Sequence, residues 1–174
     1  METHVNTPTT VTPRSIGIKW GLISAIISVV FFLILAMTGL NAFDNKWNWV
    51  SLVISVVLVV LAHKNYKDSG NGYMSYGQGV GIGFWMSLVS VIINFIVTYL
   101  YVSFIDTGAM DVFYEAQTQQ MAERGMPDDQ IEMALSWTRN LFWPIYLFFG
   151  VFFGVLVAVI VSIFTQKKNP EPAF

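Results

Sequence analysis

Cysteine is absent from the 174 residues, which excludes disulfides, thiolate metal sites and a lipid-modified cysteine anchor. Histidine occurs twice, as His4 and His63, with no second imidazole at a spacing such as H-x-x-x-H, so no metal motif is present. Charge is scarce: 11% of residues carry one, against about 25% in an ordinary soluble domain. No lysine lies between Lys67 and Lys167, so the four glycines of YMSYGQGVGIGFW (Gly77, Gly79, Gly81, Gly83) cannot form a phosphate loop, whose lysine must neutralise the phosphates. The next acid after them is Asp106, a whole apolar segment away, which rules out a dinucleotide fingerprint. A potassium-type filter needs a chain that re-enters, and here the glycines lead straight on into FWMSLVSVIINFIVTYLY.

What the chain has is hydrophobic length. All nine basic and eleven acidic residues fall outside four stretches, Trp20 to Phe43, Trp47 to His63, Ser69 to Ile105 and Asn140 to Gln166. A hydrocarbon core of about 30 Å needs roughly 20 helical residues. The second stretch is the short one, apolar from Val50 to Ala62, but Trp47, Trp49 and Tyr66 bracket it as interfacial aromatics. Runs such as IISVVFFLIL (Ile26 to Leu35) lack the polar face of a soluble helix and the alternation of a β-barrel strand. The expected fold is all-α and integral to a membrane, a bundle of four transmembrane helices. The spans are expected at 16–40, 47–66, 76–105 and 141–165 within a domain of residues 14–168, flanked by tails at 1–13 and 169–174. The lipid bilayer is its first partner.

Arg14, Lys19, Lys64, Lys67, Lys167 and Lys168 share one side, and Lys46, Arg124 and Arg139 the other. The bias puts both termini in the cytoplasm and residues 106–140 outside. That outer segment holds seven acids against two arginines. Gly125, Pro127, Asp128 and Asp129 mark a helix end followed by a helix start. Met110, Phe113 or Tyr114, Gln117 and Met121 form one apolar face, and Ile131, Leu135 and Thr138 another. An extracytoplasmic amphipathic helical hairpin lying on the membrane surface is expected, with a kink or restart at Trp143-Pro144. The acids lack the spacing of a calcium loop, and their sign opposes nucleic acid as a partner.

The helical reading of the glycines is a packing face. Gly79 and Gly83 make a G-x-x-x-G that Ser87 and Ser90 continue, with Ser75 as the N-cap, and Gly150 and Gly154 repeat the motif in the last span. The two faces either meet each other or serve a homo-oligomer or another membrane protein. Asn94 is the most polar residue within a span, read as an interhelical hydrogen bond or a substrate contact. His63 reads as a headgroup-level residue. No charge sits at membrane depth, which argues against proton relays and ion coupling. No nucleophile motif is recognisable, so no enzyme, cofactor or metal is expected.

The combination of GYMSYGQGVGIGFW, the YLYVSFID exit, QMAERGMPDDQIEMAL before the last span and a terminal lysine pair resembles an uncharacterised bacterial family of small integral membrane proteins, a domain of unknown function. The likeness runs from about Arg14 to Lys168, although that family usually has Asp-Pro where Asp106-Thr107 stands here. It implies four spans in a bacterial inner membrane and no activity. The functional expectation is a noncatalytic accessory or scaffold for another membrane component, with a small transporter or channel subunit acting as an oligomer as the alternative.

Overall fold

The computed structural model describes residues 11–169 except 41 and 45; His4, most of the N-terminal tail and residues 170–174 lie outside them. Five helices account for most of the described chain: α1 Pro13–Met37, α2 Trp47–Ser69, α3 Tyr76–Phe104, α4 Ala109–Glu123 and α5 Asp128–Thr165. No strand occurs among the described residues, only an isolated antiparallel pairing of Met74 with Lys167. All helices but α4 are long and apolar enough to cross a membrane. At 23 residues, α2 measures about 35 Å, so the short second apolar stretch is carried to spanning length by its polar continuation through Ser69.

Local chemistry starts and stops these helices. Thr12 caps α1 in a reciprocal box with Ser15, and Pro13 takes the first helical turn, where its missing N–H is no loss. Ser75 caps α3 as expected: its hydroxyl accepts from Gln78 N–H, and the Gln78 side chain accepts from Ser75 N–H at 2.8 Å. Gly125, at φ +74°, ends α4 in the left-handed conformation that glycine tolerates. Pro127 then lies one residue earlier than the first helical position, as the N-cap of α5, with Asp128 and Asp129 in the first turn.

α5 differs from its expected form. It runs unbroken for 38 residues and carries Pro144 in its interior, so the helix does not restart at Trp143-Pro144. Proline there removes one backbone hydrogen bond. The turns on either side are held by a ring cluster in which Phe142 touches Phe43, Phe113 and Trp143, and Trp143 touches Phe95 and Tyr99. α4 folds back on α5 through that cluster and through Arg139, whose guanidinium stacks 5.1 Å from the Tyr114 ring centre. The covered positions on these two helices are the ones their periodicity marks, with Ile131 fully in the contact.

The six basic residues Arg14, Lys19, Lys64, Lys67, Lys167 and Lys168 gather at one end of the bundle. Arg14 stacks on Trp85 at 4.8 Å, Lys167 on Tyr73 at 5.4 Å, and Asn65 Oδ1 accepts from Trp20 Nε1 at 3.0 Å and from Lys19 Nζ at 3.4 Å. Met74 and Lys167 exchange two backbone hydrogen bonds of 2.9 Å, tying the α2–α3 loop to the end of α5.

Candidate functional site

The glycines at every second position of α3 divide by face. A Cβ added at Gly77 would meet nothing within 4 Å, and at Gly81 only Pro13, at 3.6 Å. Gly79 and Gly83 are different. At Gly79 it would stand 2.5 Å from Ser162 Oγ and 3.1 Å from Ser162 Cβ, and at Gly83 it would run into Ala158 Cβ. The last-span glycines answer from the other side: at Gly154 it would collide with the Ser87 hydroxyl, and at Gly150 it would lie 3.0 Å from Val91 Cγ2. Each step of four along α3 (Gly79, Gly83, Ser87, Val91) is matched by a step of four back along α5 (Ser162, Ala158, Gly154, Gly150). The two G-x-x-x-G faces therefore meet each other within one chain, in antiparallel register, where backbones approach closely and gain dispersion contacts lipid cannot replace. Ala158 and Ser162 extend the small-residue row of α5 and could have been read from its four-residue spacing.

A second close approach went unrecognised in the sequence. Gly17 and Gly21, in GIKWG, face the adjoining side of α3, where a Cβ would come within 2.6 Å of Trp85 Cβ and 2.7 Å of Ile82 O at Gly17, and within 2.8 Å of Val89 Cβ and 2.9 Å of Met86 O at Gly21. The motif was present, but Lys19 and Trp20 between its glycines placed it at the membrane edge. With small residues on two sides, α3 is the central helix of the bundle.

Asn94 does not reach across to another helix. Its Nδ2 donates to the Ser90 carbonyl of its own helix at 2.8 Å, and Ser90 Oγ in turn donates to Ser24 Oγ on α1 at 3.3 Å. The interhelical link is made by the two serines, with Asn94 behind them.

Among the described residues His63 and Ser162 are polar side chains at 0% exposure, so His63 faces the inside of the bundle. It lies on the face that α2 buries, with Val59, Ala62 and Tyr66, and that three-to-four spacing was the available signal. Nε2 sits 3.0 Å from the Gly79 carbonyl and Nδ1 2.7 Å from Thr165 Oγ1. Because a carbonyl only accepts, Nε2 must carry hydrogen and donate to it. In the neutral ring Nδ1 then accepts from the Thr165 hydroxyl, which also lies 2.9 Å from Val161 O and can serve only one acceptor at a time. Lys67 Nζ donates to Thr165 O at 2.9 Å, closing the C-terminus of α5 with a positive charge. One imidazole thus pins α2, α3 and α5 together beside the glycine seam. Ser162 Oγ, next to it, is buried without a hydrogen-bond partner; its small size suits the seam, and we have no physical account of its hydroxyl.

Among the described residues no group of three or more His, Asp or Glu side chains could hold a metal. Within the spans, Ser24, His63, Ser90, Asn94 and Thr165 bond to carbonyls or to one another. No curated protein and no solved structure matches the chain. The glycine seam between α3 and α5 and most of the five-helix fold fall within residues 19–167, the part that matches the profile of a protein family of unknown function, DUF4199. By that match over most of its length, the chain belongs to the DUF4199 family.

Proposed function

We propose that the chain is a noncatalytic multi-pass protein of a bacterial inner membrane, an accessory or scaffold that holds an acidic helical hairpin, α4 with the first turns of α5, on the extracytoplasmic side. The observation that carries this reading is the length of α5. At 38 residues it extends about 57 Å, nearly twice a hydrocarbon core of about 30 Å. Its first turns, Asp128 to about Asn140, therefore stand beyond the membrane as a rigid continuation of the span. α4 and the ring cluster around Phe142 brace that extension. Gathered basic residues at the far end support a cytoplasmic position for both termini. The partner such a device serves is another membrane component or a second copy, recognised through the exposed acids Asp111, Glu115, Asp129 and Glu132.

Spending the Asn94 amide on its own helix favours this reading over that of a transporter or channel subunit. A photo-crosslinking residue at Glu115 or Glu132 is expected to capture a discrete protein in native membranes, whereas one at lipid-facing Phe153 should capture none. Purified chain in vesicles should pass no ions or small solutes, and Asn94→Leu should change stability by less than about 1 kcal/mol. Solute flux abolished by Asn94→Leu, with no adduct at the acidic face, would reverse the choice.

A further inference from the structure

At the end of the bundle opposite Arg14, Lys67 and Lys167, the C-termini of α1 and α3 border a cavity of about 170 Å³. That is close to an engineered cavity of about 150 Å³ that takes up benzene, so it suits a group of a few heavy atoms. Three aromatic rings line it: Phe32 on α1, Phe43 in the α1–α2 loop and Tyr101 on α3. Phe32 stands 5.3 Å from Tyr101 at 88° and 6.1 Å from Phe43 at 64°, so the rings present faces in more than one direction. The wall also contains a carboxylate, Asp106. It has no hydrogen bond or ion pair with any described side chain.

Among the described residues, the electrostatic elements at this cavity favour a cation with one exception. Two helix C-termini meet there, each carrying the negative end of its dipole, and neither α1 nor α3 has a basic residue in its last turn to complement it. Lys46 of the α1–α2 loop is engaged elsewhere, paired with Asp44 at 2.9 Å and stacked on Trp47 at 5.2 Å. The exception is the N-terminus of α4, which contributes Ala109 and Val112 to the wall. Asp111 stands in the first turn of α4 and complements that dipole end, leaving Asp106 to the cavity. Aromatic rings beside a carboxylate favour a diffuse organic cation over a hydrated metal ion.

We propose that this cavity binds a small aliphatic ammonium group, free in solution or carried as a lipid headgroup, with Phe32, Phe43 and Tyr101 supplying the aromatic surface and Asp106 the counter-charge. The test uses the full chain in an uncharged detergent, dialysed to equilibrium against choline or ethanolamine, with 3,3-dimethylbutan-1-ol as the neutral isostere of choline. Saturable binding of one ammonium per chain is expected, with no competition from the alcohol. Asp106→Asn, a change at an exposed position that should leave the fold intact, is expected to weaken binding about tenfold, as is Tyr101→Leu. In a second arm the chain is reconstituted with phosphatidylglycerol alone or doped with phosphatidylcholine or phosphatidylethanolamine, and retained lipid is read by native mass spectrometry. Retention of an ammonium lipid by the wild type but not by Asp106→Asn, with no uptake of free amine, assigns the cavity to a headgroup; uptake of free amine in detergent assigns it to a soluble amine. The proposal is overturned by no binding in either arm, by equal binding of the neutral alcohol, or by an unchanged affinity in Asp106→Asn.

Discussion

Replacing Gly83 with alanine is expected to destabilise the chain by about 1–3 kcal/mol, the range for overpacking a closed contact, and replacing it with leucine to leave little folded protein in detergent. The added Cβ would occupy the space of Ala158 Cβ and come within 3.4 Å of its Cα. No rotamer relieves such a clash, so α3 and α5 must move apart along the whole seam and forfeit the contacts at Gly79, Ser87 and Gly150 as well. The double variant Gly83→Ala with Ala158→Gly moves the methyl from one helix to the other and should recover most of the loss. Gly77→Ala is the internal control. Nothing lies within 4 Å of that position, so the substitution should be neutral or stabilising by up to about 1 kcal/mol through helix propensity. Denaturant or thermal unfolding of the four variants reads all of this. An equal response at Gly77 and Gly83 would mean that the seam is not where the helices meet.

The second large effect is at His63. Alanine there empties a fully buried site and removes the bonds to Gly79 O and Thr165 Oγ1, for a loss of about 2–5 kcal/mol by analogy with other medium-sized buried side chains. Leucine restores the volume but makes neither ring bond, and should still cost about 1–3 kcal/mol, the net worth of two hydrogen bonds. A histidine on the outer face of α2 would behave differently: substitutions at an exposed site usually stay within about 0.5 kcal/mol. Unfolding midpoints of His63→Ala and His63→Leu therefore separate a pin between three helices from an outward-facing residue.

These two residues also mark how far the sequence could be read. The spans were legible because charge is excluded from lipid, the Ser75 cap because a hydroxyl three residues before a glutamine has one obvious use, and the glycine pairs because small residues every fourth position make a flat helical face. Which faces join was not legible, since G-x-x-x-G fixes a surface and not its occupant. Lys19 and Trp20 disguised the equivalent pair Gly17 and Gly21. At Pro144 the structure excludes the restart, because the rule that proline ends a helix is a statement about local hydrogen bonding, and here the helix continues with ring contacts on both sides of the proline. The reading of His63 concerned its depth along α2, whereas the helical period decides which side of α2 it faces, and that side is the buried one. The ring-lined cavity at Asp106 combines residues from α1, its following loop and α3, which no local pattern joins.

The native chain has no cysteine, so single cysteines can report its topology without a background. Introduced at Thr107 or Glu123, a cysteine should react with a membrane-impermeant maleimide on intact cells, while one at Ser69 or Asn169 should react only after the membrane is permeabilised. Labelling of Ser69 and Asn169 on opposite faces, or labelling of all four positions in chain recovered without detergent, would contradict a four-span bundle with its lysines on one side.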